Sequence, residues 1–96
     1  MKKDEILEFL QTHKKELKLL GIERIGIFGS YAKNNNTSNS DLDVLVKFGK
    51  VDSKFKAYFN TLHYLEDTLK IKVDLCREED LKQDFKQEIF ESTIYV

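Results

Sequence analysis

Apolar residues recur every three or four positions in two long segments of the chain. In residues 3–20 they stand among Lys and Glu, which predicts an amphipathic helix that ends at Gly21. Residues 53–70 have the same spacing and predict a second long helix, whose apolar stripe consists of Phe55, Tyr58, Phe59, Leu62, Leu65 and Leu69. We expect these aromatic side chains to lie in the core. Residues 78–91 show one or two shorter helical patterns.

Short strand-like segments alternate with these helices. Residues 22–28 and 41–48 predict two strands, the second rich in Val and Leu. Residues 70–76 alternate apolar and polar side chains and predict a third, and a brief terminal strand is expected at 94–96. Between the first two strands, residues 34–40 (NNNTSNS) predict a polar loop.

This order of elements predicts one domain, residues 1–96, of the α+β (mixed α/β) class, with helices packed on a β-sheet. The pattern does not give the strand directions. A chain of 96 residues holds one core but not two lobes with a cleft between them. A reaction between two bulky substrates would therefore take part of its site from a second chain.

Composition and charge narrow the class of protein. The net charge is -1, from 16 basic and 17 acidic residues, which argues against a DNA- or RNA-coating protein, so we expect no direct nucleic-acid binding. The single cysteine, Cys76, is too few for a disulfide or a structural zinc site and fits a reducing cytoplasm. No signal peptide or apolar run of about 20 residues is found, so we expect a cytoplasmic protein without a membrane segment.

Two aspartates begin the second predicted strand. Because alternate residues of a strand share a face, Asp41 and Asp43 should project together, roughly 6–7 Å apart at the backbone. Two neighbouring carboxylates repel each other unless a cation lies between them, and Mg²⁺ is the usual ion for oxygen ligands. The alternative is a pair of solvated acids beside a loop.

A third acid, Asp74, lies in the middle of the third predicted strand, where acids are rare. If this strand lies beside that of Asp41 and Asp43, three carboxylates converge, and with one or two Mg²⁺ ions they form a site for in-line displacement at phosphorus. The alternative is an exposed outer face that Asp74 shares with Lys72 and Cys76.

Gly29 and Ser30 follow the first strand and provide a candidate anion site. A glycine at a strand-to-helix turn lets backbone N–H groups approach a phosphate, and the Ser30 hydroxyl can cap the helix that follows. The alternative is an ordinary turn with a serine cap. The glycine spacing fits neither a P-loop nor a dinucleotide-binding motif.

Taken together, these segments resemble a known family. The string GSYAKNNNTSNSDLDVLV resembles the Gly-Ser, spacer, Asp-x-Asp signature of the DNA polymerase β-like nucleotidyltransferases, and KVDLC resembles the strand that bears their third acid. The small size, the leading helix and the Ile-Tyr-Val ending resemble the minimal nucleotidyltransferase (MNT) antitoxins. The resemblance covers nearly the whole chain and implies the nucleotidyltransferase fold, with a small mixed β-sheet flanked by helices.

The resemblance also implies roles for the acids and a reaction. Asp41 and Asp43 would bind the Mg²⁺ ions, and Asp74 would complete the metal site and help to deprotonate the attacking hydroxyl. In MNT antitoxins this hydroxyl belongs to a tyrosine of a HEPN-domain toxin, an RNase that is silenced by AMP transferred from ATP. The implied partner is thus a HEPN-domain toxin, usually encoded next to the antitoxin.

The nucleotide side of the site departs from the family pattern in one place. Gly29 and Ser30 would hold the triphosphate, but members of the family often have Arg-Gly where this chain has Lys33 and Asn34. Lys33 keeps the positive charge without the bidentate fork of arginine, and it is the third candidate nucleotide-binding residue. The loss of the glycine is expected to change the loop that follows.

Two other functions compete with protein adenylylation. One is an antitoxin that blocks its toxin sterically without catalysis; the presence of three acids argues against it, because nothing structural requires them. The other is nucleotide transfer to a small molecule such as an antibiotic, which would call for an added acceptor-binding domain. A template-directed polymerase is disfavoured for the same reason and by the net charge.

Overall fold

The computed structural model describes residues 1–96. Five α-helices, a 3₁₀ turn and four strands follow one another along the chain. The elements are α1 (Lys3–Thr12), α2 (Lys14–Leu19), β1 (Ile22–Phe28), α3 (Gly29–Ala32), β2 (Leu42–Phe48), α4 (Lys54–Leu69), β3 (Val73–Arg77), the 3₁₀ turn Glu78–Asp80, α5 (Gln83–Ser92) and β4 (Ile94–Tyr95). No helix in the chain combines the length and apolar character needed to cross a membrane.

The four strands form one sheet in the order β3-β2-β1-β4. Strand β1 is antiparallel to both β2 and β4, whereas β2 and β3 are parallel and connected through α4. The predicted class, a small mixed sheet flanked by helices, is confirmed. The parallel pair brings Asp74 directly opposite Asp43.

The hydrophobic core lies on one face of this sheet, under the helices. Alternate residues of the strands meet apolar residues of the helices there. The core includes Ile6, Leu10, Leu17, Ile25, Ile27, Tyr31, Leu42, Val44, Val46, Leu65, Leu69, Val73 and Leu75. Asp43 and Asp74 occupy the intervening positions, so they project from the opposite face.

The first predicted helix, residues 3–20, is interrupted at His13. The backbone of His13 leaves the helical conformation (φ -102°, ψ 24°) and separates α1 from α2. The His13 ring stacks on Phe9 at 4.1 Å and contacts the Phe9 carbonyl, and the Thr12 hydroxyl donates a hydrogen bond to the Glu8 carbonyl. These side-chain bonds to the backbone compete with the regular helix, which accounts for the break.

The buried stripe of α4 agrees with the predicted one at Leu65 and Leu69 and differs from it in the first half of the helix. Its buried residues are Ala57, Thr61, Leu65 and Leu69, four positions apart. The expectation that the aromatic residues lie in the core is wrong for Phe55 and Phe59, which are 72% and 39% exposed. Ala57 and Thr61 were not predicted to be buried because alanine is small and threonine is polar, so neither stands out in a hydrophobic pattern.

Helix α4 also covers the free edge of β3. This strand begins at Val73, three residues later than predicted. The Val73 N–H donates to Glu66 Oε2 at 2.9 Å, and the Tyr58 hydroxyl donates to the Leu75 carbonyl at 2.8 Å. These bonds satisfy backbone groups that an edge strand would otherwise expose, and so favour a fixed position for the strand that carries Asp74.

Beyond β3 the chain is held by an ion pair between buried Glu78 and half-exposed Arg24. Glu78 is 7% exposed and accepts two hydrogen bonds from Arg24, at 2.8 and 2.5 Å. The Arg24 guanidinium lies over the Tyr95 ring, 5.1 Å from its centre. Arg24 thus links the 3₁₀ turn to β1 and to the terminal strand.

Candidate active site

Asp43 and Asp74 are neighbours on adjacent parallel strands. Their Cα atoms are register partners, and their side chains project from the same face. Asp43 is half-buried, whereas Asp74 is exposed.

This pairing changes the acidity of Asp43. Burial and, after it, the charge of Asp74 raise the pKa of Asp43 to about 6, and the Asp41 charge contributes as well. Near neutral pH the Asp43 carboxyl group therefore ionises in a half-buried position close to other negative charges, which is unfavourable. A bound cation would relieve this repulsion.

Asp41 lies outside the strand in which it was predicted. It precedes β2 by one residue and is exposed. No group of three or more His, Cys, Asp or Glu side chains is arranged to hold a metal ion. The structure thus brings Asp43 and Asp74 together with Asp41 at the edge of the site.

The donor set nevertheless fits Mg²⁺. This ion is usually held by one or two carboxylates together with water and substrate phosphates, not by an all-protein cage. The paired oxygens of Asp43 and Asp74 match that requirement, and Asp41 adds negative charge. These residues fit an ion that binds together with a nucleotide.

Gly29 is required at the turn after β1 for two independent reasons. Its φ is +70°, in the left-handed region that other residues rarely adopt. A Cβ atom at this position would also overlap Asp43 Oδ2. The missing side chain thus allows the Asp43 carboxylate to lie against the turn.

Ser30 lies in the first turn of α3 and does not cap it. The helix begins at Gly29, two residues earlier than a cap at Ser30 requires, and has no side-chain cap. With four residues, α3 has too short a dipole to attract an anion strongly. The buried Tyr31 anchors this turn in the core, which leaves the half-buried Ser30 hydroxyl and nearby N–H groups as candidate phosphate donors.

The two residues that depart from the family pattern end this segment. Lys33 is exposed and takes part in none of the chain's ion pairs, so its ammonium group is free to meet an anion. Asn34 has a φ of 61°, in the left-handed region that asparagine tolerates better than most residues. Asn34 therefore adopts the left-handed backbone conformation that the glycine of the family pattern would adopt easily.

Sequence reasoning missed a pocket that lies beside Asp74. It measures about 500 Å³, between the first half of α4 and β3, and is lined by Lys54, Phe55, Tyr58, Phe59, Leu75, Cys76, Arg77, Asp80 and Leu81. Burial, followed by the Asp74 charge, raises the pKa of the Cys76 thiol to about 11, so this group stays neutral and is a poor nucleophile. The aromatic residues of α4 are visible in the sequence. They could have indicated the pocket only if the position of β3 at the edge of the sheet had been known.

Paired acids beside a Gly-Ser turn on a mixed sheet define the class of a nucleotidyltransferase. Such a site can hold a cation and a triphosphate on one scaffold, and the transfer of a phosphorus group depends mainly on positioning and charge neutralisation.

The comparison of sequences shows the family. The chain belongs to the family described as Nucleotidyltransferase domain, which matches residues 4–96. It is similar along nearly its whole length to a protein of Methanocaldococcus jannaschii named "putative protein adenylyltransferase". The two are 44% identical over 94 residues, which cover 96% of this chain and 95% of the relative.

Solved structures share the fold. A structure described as "putative minimal nucleotidyltransferase" has a TM-score of 0.85 at 23% identity, and covers 98% of this chain and 95% of its own. A chain from the complex of tri-AMPylated Shewanella oneidensis HEPN toxin with MNT antitoxin has a TM-score of 0.56 at 19% identity. The match covers 88% of this chain and 69% of that one.

Proposed function

We propose that this chain is an antitoxin that transfers AMP from ATP, in the presence of Mg²⁺, to a tyrosine hydroxyl of a HEPN-domain toxin. The observation that carries the proposal is the pairing of Asp43 with Asp74 against the Gly29 turn. The name of the Methanocaldococcus jannaschii relative supports adenylyl transfer to protein. The AMPylated HEPN toxin bound to MNT antitoxin supports the choice of partner.

In this reaction the acceptor oxygen forms a bond to the α-phosphorus of ATP. The bond from that phosphorus to the oxygen bridging to the β-phosphate breaks, and pyrophosphate leaves. Bound Mg²⁺ would neutralise the charge that develops on the phosphate oxygens. Asp43 and Asp74 would hold the ion, with Asp41 at the edge of the site, and Asp74, the more exposed member of the pair, would also help to accept the proton of the acceptor hydroxyl.

The turn after β1 would bind the leaving side of the nucleotide. Backbone N–H groups near Gly29 and the Ser30 hydroxyl provide neutral donors for the β- and γ-phosphates. Lys33 provides a positive charge that no carboxylate of the chain neutralises.

The test mixes the chain with the HEPN protein encoded beside it, Mg²⁺ and ATP. We expect intact-mass spectrometry to show one or more AMP additions on the HEPN protein, and peptide mapping to place them on tyrosine. The absence of any addition would contradict the proposal.

The matched control is the double variant Asp41→Asn with Asp43→Asn, which removes negative charge at nearly constant shape. It should transfer no AMP and should fail to neutralise the toxin in cells. If it still neutralises the toxin, the chain acts by steric binding, and adenylylation is not the mechanism of the antitoxin.

A further inference from the structure

The pocket beside β3 has a defined position relative to the reacting groups. In the sheet, β2 lies between β1 and β3, so the Gly29 turn and the free edge of β3 lie on opposite sides of Asp43. Asp74 lies on the β3 side, and its Oδ1 is 3.9 Å from the Sγ of Cys76, which lines the pocket. The pocket therefore begins immediately beyond the carboxylate that would receive the acceptor proton.

The direction of the reaction assigns this side to the acceptor. An in-line displacement requires the attacking oxygen and the leaving pyrophosphate to lie on opposite sides of the phosphorus. With the triphosphate at Gly29 and Ser30, the acceptor approaches over Asp74, from the edge where the pocket opens.

The charges around the pocket disfavour an anionic occupant. Its two cations are already paired, Lys54 with Glu79 at 3.3 Å and Arg77 with Asp80 at 2.7 Å. The apolar lining comes mainly from aromatic side chains of α4, and Phe55 remains 72% exposed. The Phe55 and Phe59 rings pack together at 4.8 Å and form an aromatic wall. A neutral apolar group fits this lining, whereas a phosphate does not.

We propose that this pocket binds an uncharged aromatic side chain of the acceptor polypeptide, next to the residue that receives AMP. The inference rests on the proposed function and adds to it the surface that selects the acceptor. Exposed aromatic residues that line a concave site are the residues that most often dominate protein recognition. A volume of about 500 Å³ accommodates one such side chain with its neighbours.

The test compares Phe55→Ala and Phe59→Ala with Phe85→Ala. Phe85 is a matched control because it is also exposed, at 56%, but lies on α5, away from the pocket. For the two pocket variants we expect the KM for the HEPN protein to rise at least about tenfold. The KM for ATP and the melting temperature should stay unchanged, and Phe85→Ala should behave as the wild type.

Two kinetic outcomes overturn the inference. A rise in the KM for ATP with an unchanged KM for the HEPN protein would assign the pocket to the nucleotide base. Equal kinetic constants in all four proteins would show that the pocket takes no part in recognition.

A binding measurement separates this inference from the proposed function. The dissociation constant of the HEPN protein is measured for the same four proteins in the absence of ATP. If the wild type transfers no AMP, the proposed reaction fails, but weaker binding by the Phe55 and Phe59 variants alone still supports the docking surface. A wild type that neither modifies nor binds the HEPN protein overturns both proposals.

Discussion

At the scale of single residues, close contacts around Asp43 restrict which side chains the site can accept. Gly29 has to lack a Cβ because the Asp43 carboxylate occupies that space. Asp43 in turn lies between the turn and Asp74, and this position raises its pKa to about 6. The same closeness that suits a cation therefore makes the free protein less stable when Asp43 is ionised.

The pH dependence of stability tests this relation through Asp43→Asn. The folded-state pKa of Asp43 lies above its unfolded value of about 3.9, so its favourable contribution is present at low pH and is lost as pH rises through about 6. Asparagine imitates the protonated acid at every pH. Without divalent ions, we expect equal stability near pH 4 and a variant more stable by on the order of 1 kcal/mol at pH 8, after allowance for solvent screening.

Urea unfolding at pH 4, 6 and 8 measures this difference. Asp67→Asn, which changes an exposed acid of α4, is the control and should show no such trend. A difference between wild type and Asp43→Asn that does not vary with pH would contradict the assignment.

At the scale of elements, periodicity predicted most of the fold but not the arrangement of its strands. β1 agrees with the predicted bounds, and α4 begins and ends one residue inside its predicted range. The break at His13 was not predictable from spacing, because it depends on side-chain bonds to the backbone. The three acids were identifiable from the strand pattern, but the pairing of Asp43 with Asp74 required β2 and β3 to be adjacent, which no local pattern determines.

The position of β3 provides a prediction at this scale. Glu66→Ala leaves the Val73 N–H without its acceptor on the free edge, so we expect a loss of about 1–2 kcal/mol in the free energy of unfolding. Urea unfolding measures the loss, with Asp67→Ala as the control because its side chain is exposed on the same helix. Equal effects of the two substitutions would show that the bond does not stabilise the edge strand.

At the scale of the whole molecule, a chain of 96 residues places both halves of the candidate site at one end of one sheet. The turn after β1 and the acids of β2 and β3 meet there because β2 lies between the other two strands. The pocket between α4 and β3 lies on the far side of these acids from the Gly29 turn.

The link between ligand binding and stability tests the whole site at once. A ligand that binds only the folded state stabilises it by mass action, by about 2.7 kcal/mol at a hundred times its dissociation constant. For a domain of this size that corresponds to a rise of roughly 10–20 °C in melting temperature. We expect Mg²⁺ with a non-hydrolysable ATP analogue to produce such a rise in the wild type, and not in the Asp41→Asn, Asp43→Asn variant.

The control variant Asp52→Asn with Asp67→Asn removes two exposed acids away from the site and should respond as the wild type. Equal shifts in all three proteins would place nucleotide binding elsewhere on the molecule, because only the first variant changes the acids beside the Gly29 turn.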